Sequence, residues 1–203
     1  MTQGLTFDDL IGTRFRWPKP GNNPFETGVE EVEEAALAAN DLSRFELMLK
    51  GYRRSADALV DMALADSNER DLLIYPILFL YRHALELNLK YIINHYGRHV
   101  GVYPVWKSHE FQVLWPRFRA VLDAFPTHDL DSADEFVGGV IAQFGNVEMS
   151  SNSHRYPYDV HGNPIPLVCD QLNLQTLKDV MTCVFRYFDE TDDDLGDLIS
   201  YLE

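Results

Sequence analysis

Cysteine is almost missing from this 203-residue chain, which holds only Cys169 and Cys183. Two thiols are too few for a disulfide framework and lack metal-site spacing, so the expectation is a pair of buried thiols in a reducing compartment. The first ten residues, MTQGLTFDDL, have no basic n-region and no apolar h-region, which speaks against a secretory signal. Long uninterrupted apolar runs are missing too. The richest, Leu72 to Ile93, carries Arg82, His83, Glu86 and Lys90 near its centre, where they would be costly in lipid. A soluble, cytoplasmic protein with no membrane partner is expected. Phosphate-binding and dinucleotide glycine motifs, a nucleophile elbow and a nucleotidyltransferase motif are all lacking, so any nucleotidyl transfer would come from a partner chain. His95 and His99 stand four apart, but Gly97 lies between them and no third ligand follows. The acidic tail has its glycine in the wrong place for a calcium loop. Neither a metal nor a cofactor is expected.

Basic residues are scarce: 17 Lys and Arg face 32 Asp and Glu, for a formal charge of −15. That balance argues against a general nucleic-acid binder, which owes its affinity to cations that displace counterions. The acids are unevenly placed, however. Residues 1–40 hold seven acids and three bases, and residues 189–203 hold seven acids and no base, so the two ends account for −11. The body carries only −4, which leaves room for a local positive groove. Hydrophobic residues at 46% and aromatics at 12% are those of a packed globular protein, and the length suits one good-sized core.

Strand patterns and internal repeats are not found, and helical periods are. Residues 1–28, with Pro18, Pro20 and Pro24, read as an extended arm, and residues 29–40 as a short acidic helix. From Asp41 to Ala65 apolar residues recur at three and four, which predicts a long amphipathic helix. A second helix is expected from about Glu69 to His95, closed by Gly97, with Pro76 in its first turn or at a kink. Ser108 precedes HEFQVLWPRFRAVLDAF, which opens a third. Ser132 with Glu135 forms a capping box for a fourth, ending near Val147. An irregular loop, containing SSNSHRYPYDVHGNPIP, then leads to a helix capped by Asn173 from Leu174 to about Glu190, with a short extension from Leu195 to Leu202. The expected class is all-α, an antiparallel helical bundle over residues 41–203 preceded by the arm and short helix of residues 1–40.

The most informative stretch is Tyr81 to Ile93, YRHALELNLKYII, which sets charges into an otherwise apolar helix. Arg82 to Glu86 and Glu86 to Lys90 are spaced i, i+4, and His83 to Glu86 is i, i+3, so the groups can share a face and neutralise one another. Buried charge is costly unless paired. The stripe therefore reads either as a salt-bridge network that fixes helix register or as the wall of a groove. His109 is expected at the head of the third helix, with local hydrogen bonding and packing under Trp115 as its work.

Three signals stand in order: HALELNLKYII followed by a glycine, SHEFQVLW opening the next helix, and HRYPYD in the loop before the last helix. This order resembles the HEPN superfamily of helical-bundle domains, over roughly Asp41 to Glu190. Many such domains are dimeric, metal-independent ribonucleases of toxin–antitoxin and anti-phage systems, with a catalytic Arg and His four to six residues apart. The resemblance implies that Arg155 and His161 are the catalytic pair here. In that chemistry a His takes the 2′-OH proton while an Arg fork holds the phosphate. His154, Tyr156, Asp159 and the stripe of Arg82, His83, Glu86 and Lys90 would support or bind; if the loop folds back over the central helix, Glu86 is the natural partner of Arg155, a geometry that favours structure over catalysis. The chain departs from the catalytic pattern in that Tyr156 and Pro157 follow the Arg directly. That matches better the Arg-Tyr-Pro loop of members associated with nucleotidyltransferases. The alternative is thus a non-catalytic nucleotide- or protein-binding and dimerisation module. The implied partners are a second copy of the chain, RNA, and a nucleotidyltransferase or antitoxin chain. A purely structural subunit of a larger assembly is a third reading, suggested by the N-terminal arm.

Overall fold

A computed structural model describes residues 35, 37, 40–125, 131–149, 158, 161–164 and 170–202. The arm, the short acidic helix, and His154, Arg155, Tyr156 and Asp159 lie outside the described residues, as does Cys169, whereas Cys183 is an exposed free thiol. The described residues from Asn40 onward belong to one compact unit, Ala38–Glu203. Among its described residues five α-helices follow one another: α1 (Asp41–Ala65), α2 (Ser67–Tyr96), α3 (Phe111–Ala124), α4 (Asp131–Met149) and α5 (Leu174–Leu202). A 3₁₀ turn, Gly97–Val100, follows α2 directly. No strand occurs among the described residues, only an isolated bridge between Tyr158 and Pro164. The class is all-α, as the periodicity predicts.

α1 starts where the Asn40 side chain accepts from the Ser43 amide at 2.7 Å. One residue, Asp66, separates it from α2; its carboxylate takes the Asn68 amide at 2.9 Å and caps the second helix. So short a link folds the two helices back on each other. α2 is the centre of the bundle and packs against α1, α3 and α5. Ile77, Tyr81, Leu85, Leu89, Ile92 and Ile93 on it are all but fully buried. Pro76 lies in the third turn of α2, not the first. Its missing N–H falls on an exposed side, next to exposed Leu72, where water can satisfy the freed carbonyl. Phe118 of α3 packs against Tyr187 and Phe188 of α5, an aromatic contact that ties the last helix to the third.

Gly97 closes α2 as expected, though not by a left-handed cap, and three other boundaries differ from the sequence expectation. Gly97 ends α2 without a left-handed backbone, at φ −60°. It is needed for closeness, because a Cβ there would lie 2.2 Å from the Val102 carbonyl oxygen. The left-handed turn falls instead to Gly101, at φ 76°. α3 begins at Phe111, so Ser108 and His109 lie in an extended lead-in. α4 begins at Asp131, which puts Ser132 inside the first turn. α5 runs unbroken to Leu202 through Asp192, Asp193, Asp194 and Gly196. Leu195 is fully buried there, and the Tyr96 hydroxyl donates to both the carbonyl and the carboxylate of Asp192, so tertiary contacts override local preference.

Candidate functional site

The charged stripe of α2 closes on Glu86, whose residue is 3% exposed. Lys90 Nζ lies 2.8 Å from Glu86 Oε1, and Arg82 Nη1 lies 3.2 Å from Oε2, one helical turn to either side. The third partner comes from 23 residues away: His109 Nδ1 is 2.8 Å from Oε1. Burial alone pushes the Glu86 carboxyl up, but the hydrogen bonds from Lys90 and His109, with the charges behind them, outweigh it and hold the group below the usual carboxylate range. Glu86 is thus ionised, and Nδ1 of His109 faces it as an N–H donor. The same cations also hold the connection between α2 and α3. Arg82 Nη2 donates to the His109 carbonyl at 2.8 Å, Lys90 Nζ donates to the Trp106 carbonyl at 3.2 Å, and the Arg82 guanidinium lies 5.0 Å from the Phe111 ring centroid.

His83 leaves the group. Its ring stands edge-on to Tyr52, with centroids 4.4 Å apart, and stacks on Phe79. Burial lowers its pKa from the usual value; Glu86 opposes this, while Arg82, Lys90 and His109 add to it. A His neutral in the fold stabilises it above the ordinary histidine range near pH ~6.5, and that contribution fades as the pH falls below it. The melting temperature should therefore drop between about pH 7 and pH 5, and drop less steeply in His83→Gln, which thermal unfolding across pH would read. A variant with the same slope as the wild type would assign the acid loss elsewhere.

His109 carries the other half of the geometry. Its side chain is 65% exposed although Nδ1 is bound to the buried carboxylate of the stripe. Nε2 has no hydrogen-bond partner among the described residues. Around it runs a segment of unusual composition for this chain: residues 97–120 hold four bases and one acid. Arg98, Lys107 and Arg117 are exposed, and none meets a carboxylate among the described residues. Tyr103 and Trp106 expose 63% and 51% of their surface between them. An open depression of about 510 Å³ lies between the connection and α3, lined by Tyr103, Gln112, Pro116 and Arg117, with Arg117 Nη1 donating to the Tyr103 carbonyl. Cations for phosphates and rings for bases are thus interleaved on one stretch of chain.

Of the residues singled out by the sequence, Arg82, Glu86 and Lys90 are brought together, and His83 turns aside into an aromatic pocket. His161 is exposed in a turn between the bridged residues Tyr158 and Pro164, with Gly162 at φ 81°. Arg155, its expected companion, is outside the described residues. Glu86 already holds Lys90, Arg82 and His109 rather than standing open for a loop arginine. Sequence reasoning undervalued His109 and passed over Arg98, Tyr103, Trp106, Lys107 and Arg117. The signal that finds them is local charge: a run of net positive residues with exposed rings in a chain of charge −15. Among the described residues no helix is long and apolar enough to cross a membrane. No protein-family model matches the chain, and no curated protein and no solved structure matches it either.

Proposed function

We propose that this chain is a HEPN-like helical effector that acts on single-stranded RNA as a metal-independent ribonuclease, of the kind that serves toxin–antitoxin or anti-phage systems. The observation that carries the reading is the α2–α3 connection, with Arg98, Lys107 and Arg117 exposed around Tyr103 and Trp106 in an acidic protein. Exposed cations attract phosphates by releasing counterions, and rings stack on bases of any identity. Support also comes from the way HALELNLK and SHEF, two of the three motifs behind the resemblance, meet through the bonds of Glu86. Arg155 and His161, from the third motif, would supply the phosphate fork and the base for the 2′-OH. Large apolar side chains left exposed on α1 and α2, among them Met62, Leu72 and Tyr75, support self-association as a homodimer.

A second reading is the non-catalytic nucleotide- or protein-binding module. It is favoured by the donors that Arg82 and Lys90 give to the His109 and Trp106 carbonyls, which serve to hold the connection in place. An RNA cleavage assay in EDTA separates the two. The ribonuclease reading predicts that the wild type cuts single-stranded RNA but not DNA of the same sequence, and that Arg155→Ala and His161→Ala are each slower by about a hundredfold or more. Equal rates in all three proteins would remove that pair from the site. Binding without cleavage would favour the module, and neither binding nor cleavage would contradict both readings.

A further inference from the structure

Cleavage of RNA by its own 2′-oxygen moves two protons, one off the 2′-OH and one onto the departing 5′-oxygen, and an imidazole that supplies the latter adds to the rate that a base alone gives. The chain offers a second, built for the task, on the opposite side of its sequence from the HRYPYD loop. We propose that His109 is the general acid of the ribonuclease reading, giving the proton on Nε2 to the leaving 5′-oxygen, with Glu86 as its positioning residue. The inference rests on that reading and deepens it.

The geometry is specific. Nδ1 is held 2.8 Å from a carboxylate oxygen that is itself fixed by Lys90 at 2.8 Å, while Glu86 Oε2 is held by Arg82 at 3.2 Å. The backbone of His109 is tied down independently, through its carbonyl to Arg82 Nη2 at 2.8 Å. A histidine with both its ring and its main chain fixed, yet with a side chain 65% exposed, is oriented outward at a defined angle. With Nδ1 committed to Glu86, Nε2 is the nitrogen that exchanges protons with whatever lies outside. His109 belongs to the same connection as the exposed cations and rings, with Lys107 two residues before it and Gln112, on the wall of the depression, three residues after. A histidine whose only work was packing would need neither the buried carboxylate nor the exposure.

The reaction balances without another reagent. His161 takes the 2′-OH proton, the 2′-oxygen bonds to phosphorus, and the bond from phosphorus to the 5′-oxygen breaks. That oxygen receives the Nε2 proton of His109, and the products are a 2′,3′-cyclic phosphate and a free 5′-OH. Water then carries the proton from His161 back to His109.

His109→Asn is the discriminating variant, because its side-chain N–H can still donate to Glu86 while nothing replaces Nε2. The substrates are an ordinary single-stranded RNA and the same RNA with sulfur in place of the 5′-oxygen at one bond. A thiolate leaves without needing a proton. The reading is the ratio of the sulfur rate to the oxygen rate, which does not depend on how much of the variant is folded. The wild type should show a ratio of its own, and His109→Asn should raise it by about a hundredfold, through a slow oxygen substrate and a nearly unchanged sulfur one. An unchanged ratio overturns the assignment, whether both rates fall together or neither falls. A wild type that cleaves neither substrate removes the ribonuclease reading itself, and the acid with it.

Discussion

Replacing Glu86 by alanine should cost about 3–5 kcal/mol of stability, the range found when one partner of a buried ion pair is removed. The reason is what remains behind. The Lys90 side chain is only 6% exposed, and without Glu86 its ammonium keeps the Trp106 carbonyl alone. Arg82, 12% exposed, would keep the His109 carbonyl and the Phe111 ring face but lose Glu86. For a unit of this size the loss corresponds to roughly 10 °C in melting temperature. Because Glu86 is held below the usual carboxylate range, its contribution is present above the unfolded pKa and lost as the pH falls through the folded one, adding an acid limb to that of His83. Replacing Glu86 and Lys90 together by leucine should recover much of the loss, since a buried pair exchanged for apolar groups of similar size is often neutral. Urea unfolding of the wild type and the two variants checks this. A cost under about 1 kcal/mol for Glu86→Ala would mean that water reaches the network and that the stripe does not hold the connection.

The second large effect concerns RNA. Reversing Arg98, Lys107 and Arg117 to glutamate should weaken binding of a single-stranded RNA on the order of a hundredfold at low salt, with little change in melting temperature. The stability forecast follows from exposure: none of the three is buried or paired with a carboxylate among the described residues. The affinity forecast follows from sign. Three local cations in a chain whose formal charge is −15 supply most of the attraction a polyanion meets, and their reversal turns the connection acidic like the rest. Tyr103→Ala and Trp106→Ala should each weaken binding as well, by the roughly 1–3 kcal/mol of one stacked base, and Trp106 less than Tyr103 because it also rests against Phe45.

How far the sequence could lead is visible in four places. α1 begins and ends where its apolar period predicts, because Asn40 and Asp66 punctuate it locally. The stripe of α2 was legible for the same reason: Arg82, Glu86 and Lys90 lie one turn apart, and helix geometry brings them together without help from the rest of the chain. His109 was not. Its ring is drawn out of α3 by Glu86 and its carbonyl by Arg82, partners 23 and 27 residues away, and no local pattern announces such a contact. The continuation of α5 through its acidic stretch was hidden likewise, since Tyr96, 96 residues earlier, is what binds Asp192. Local order was readable from spacing, and the site was not, because it is made between elements.

The central claim, that the α2–α3 connection of this acidic protein meets RNA, is tested most directly by the salt dependence of binding. Fluorescence anisotropy of a labelled single-stranded RNA, repeated from low to physiological salt, gives the slope of log affinity against log salt. Three phosphates neutralised by Arg98, Lys107 and Arg117 predict a slope of about −2 for the wild type, collapsing toward zero when those residues are reversed. A wild type that fails to bind, or one whose slope is the same with and without the three cations, would contradict the account.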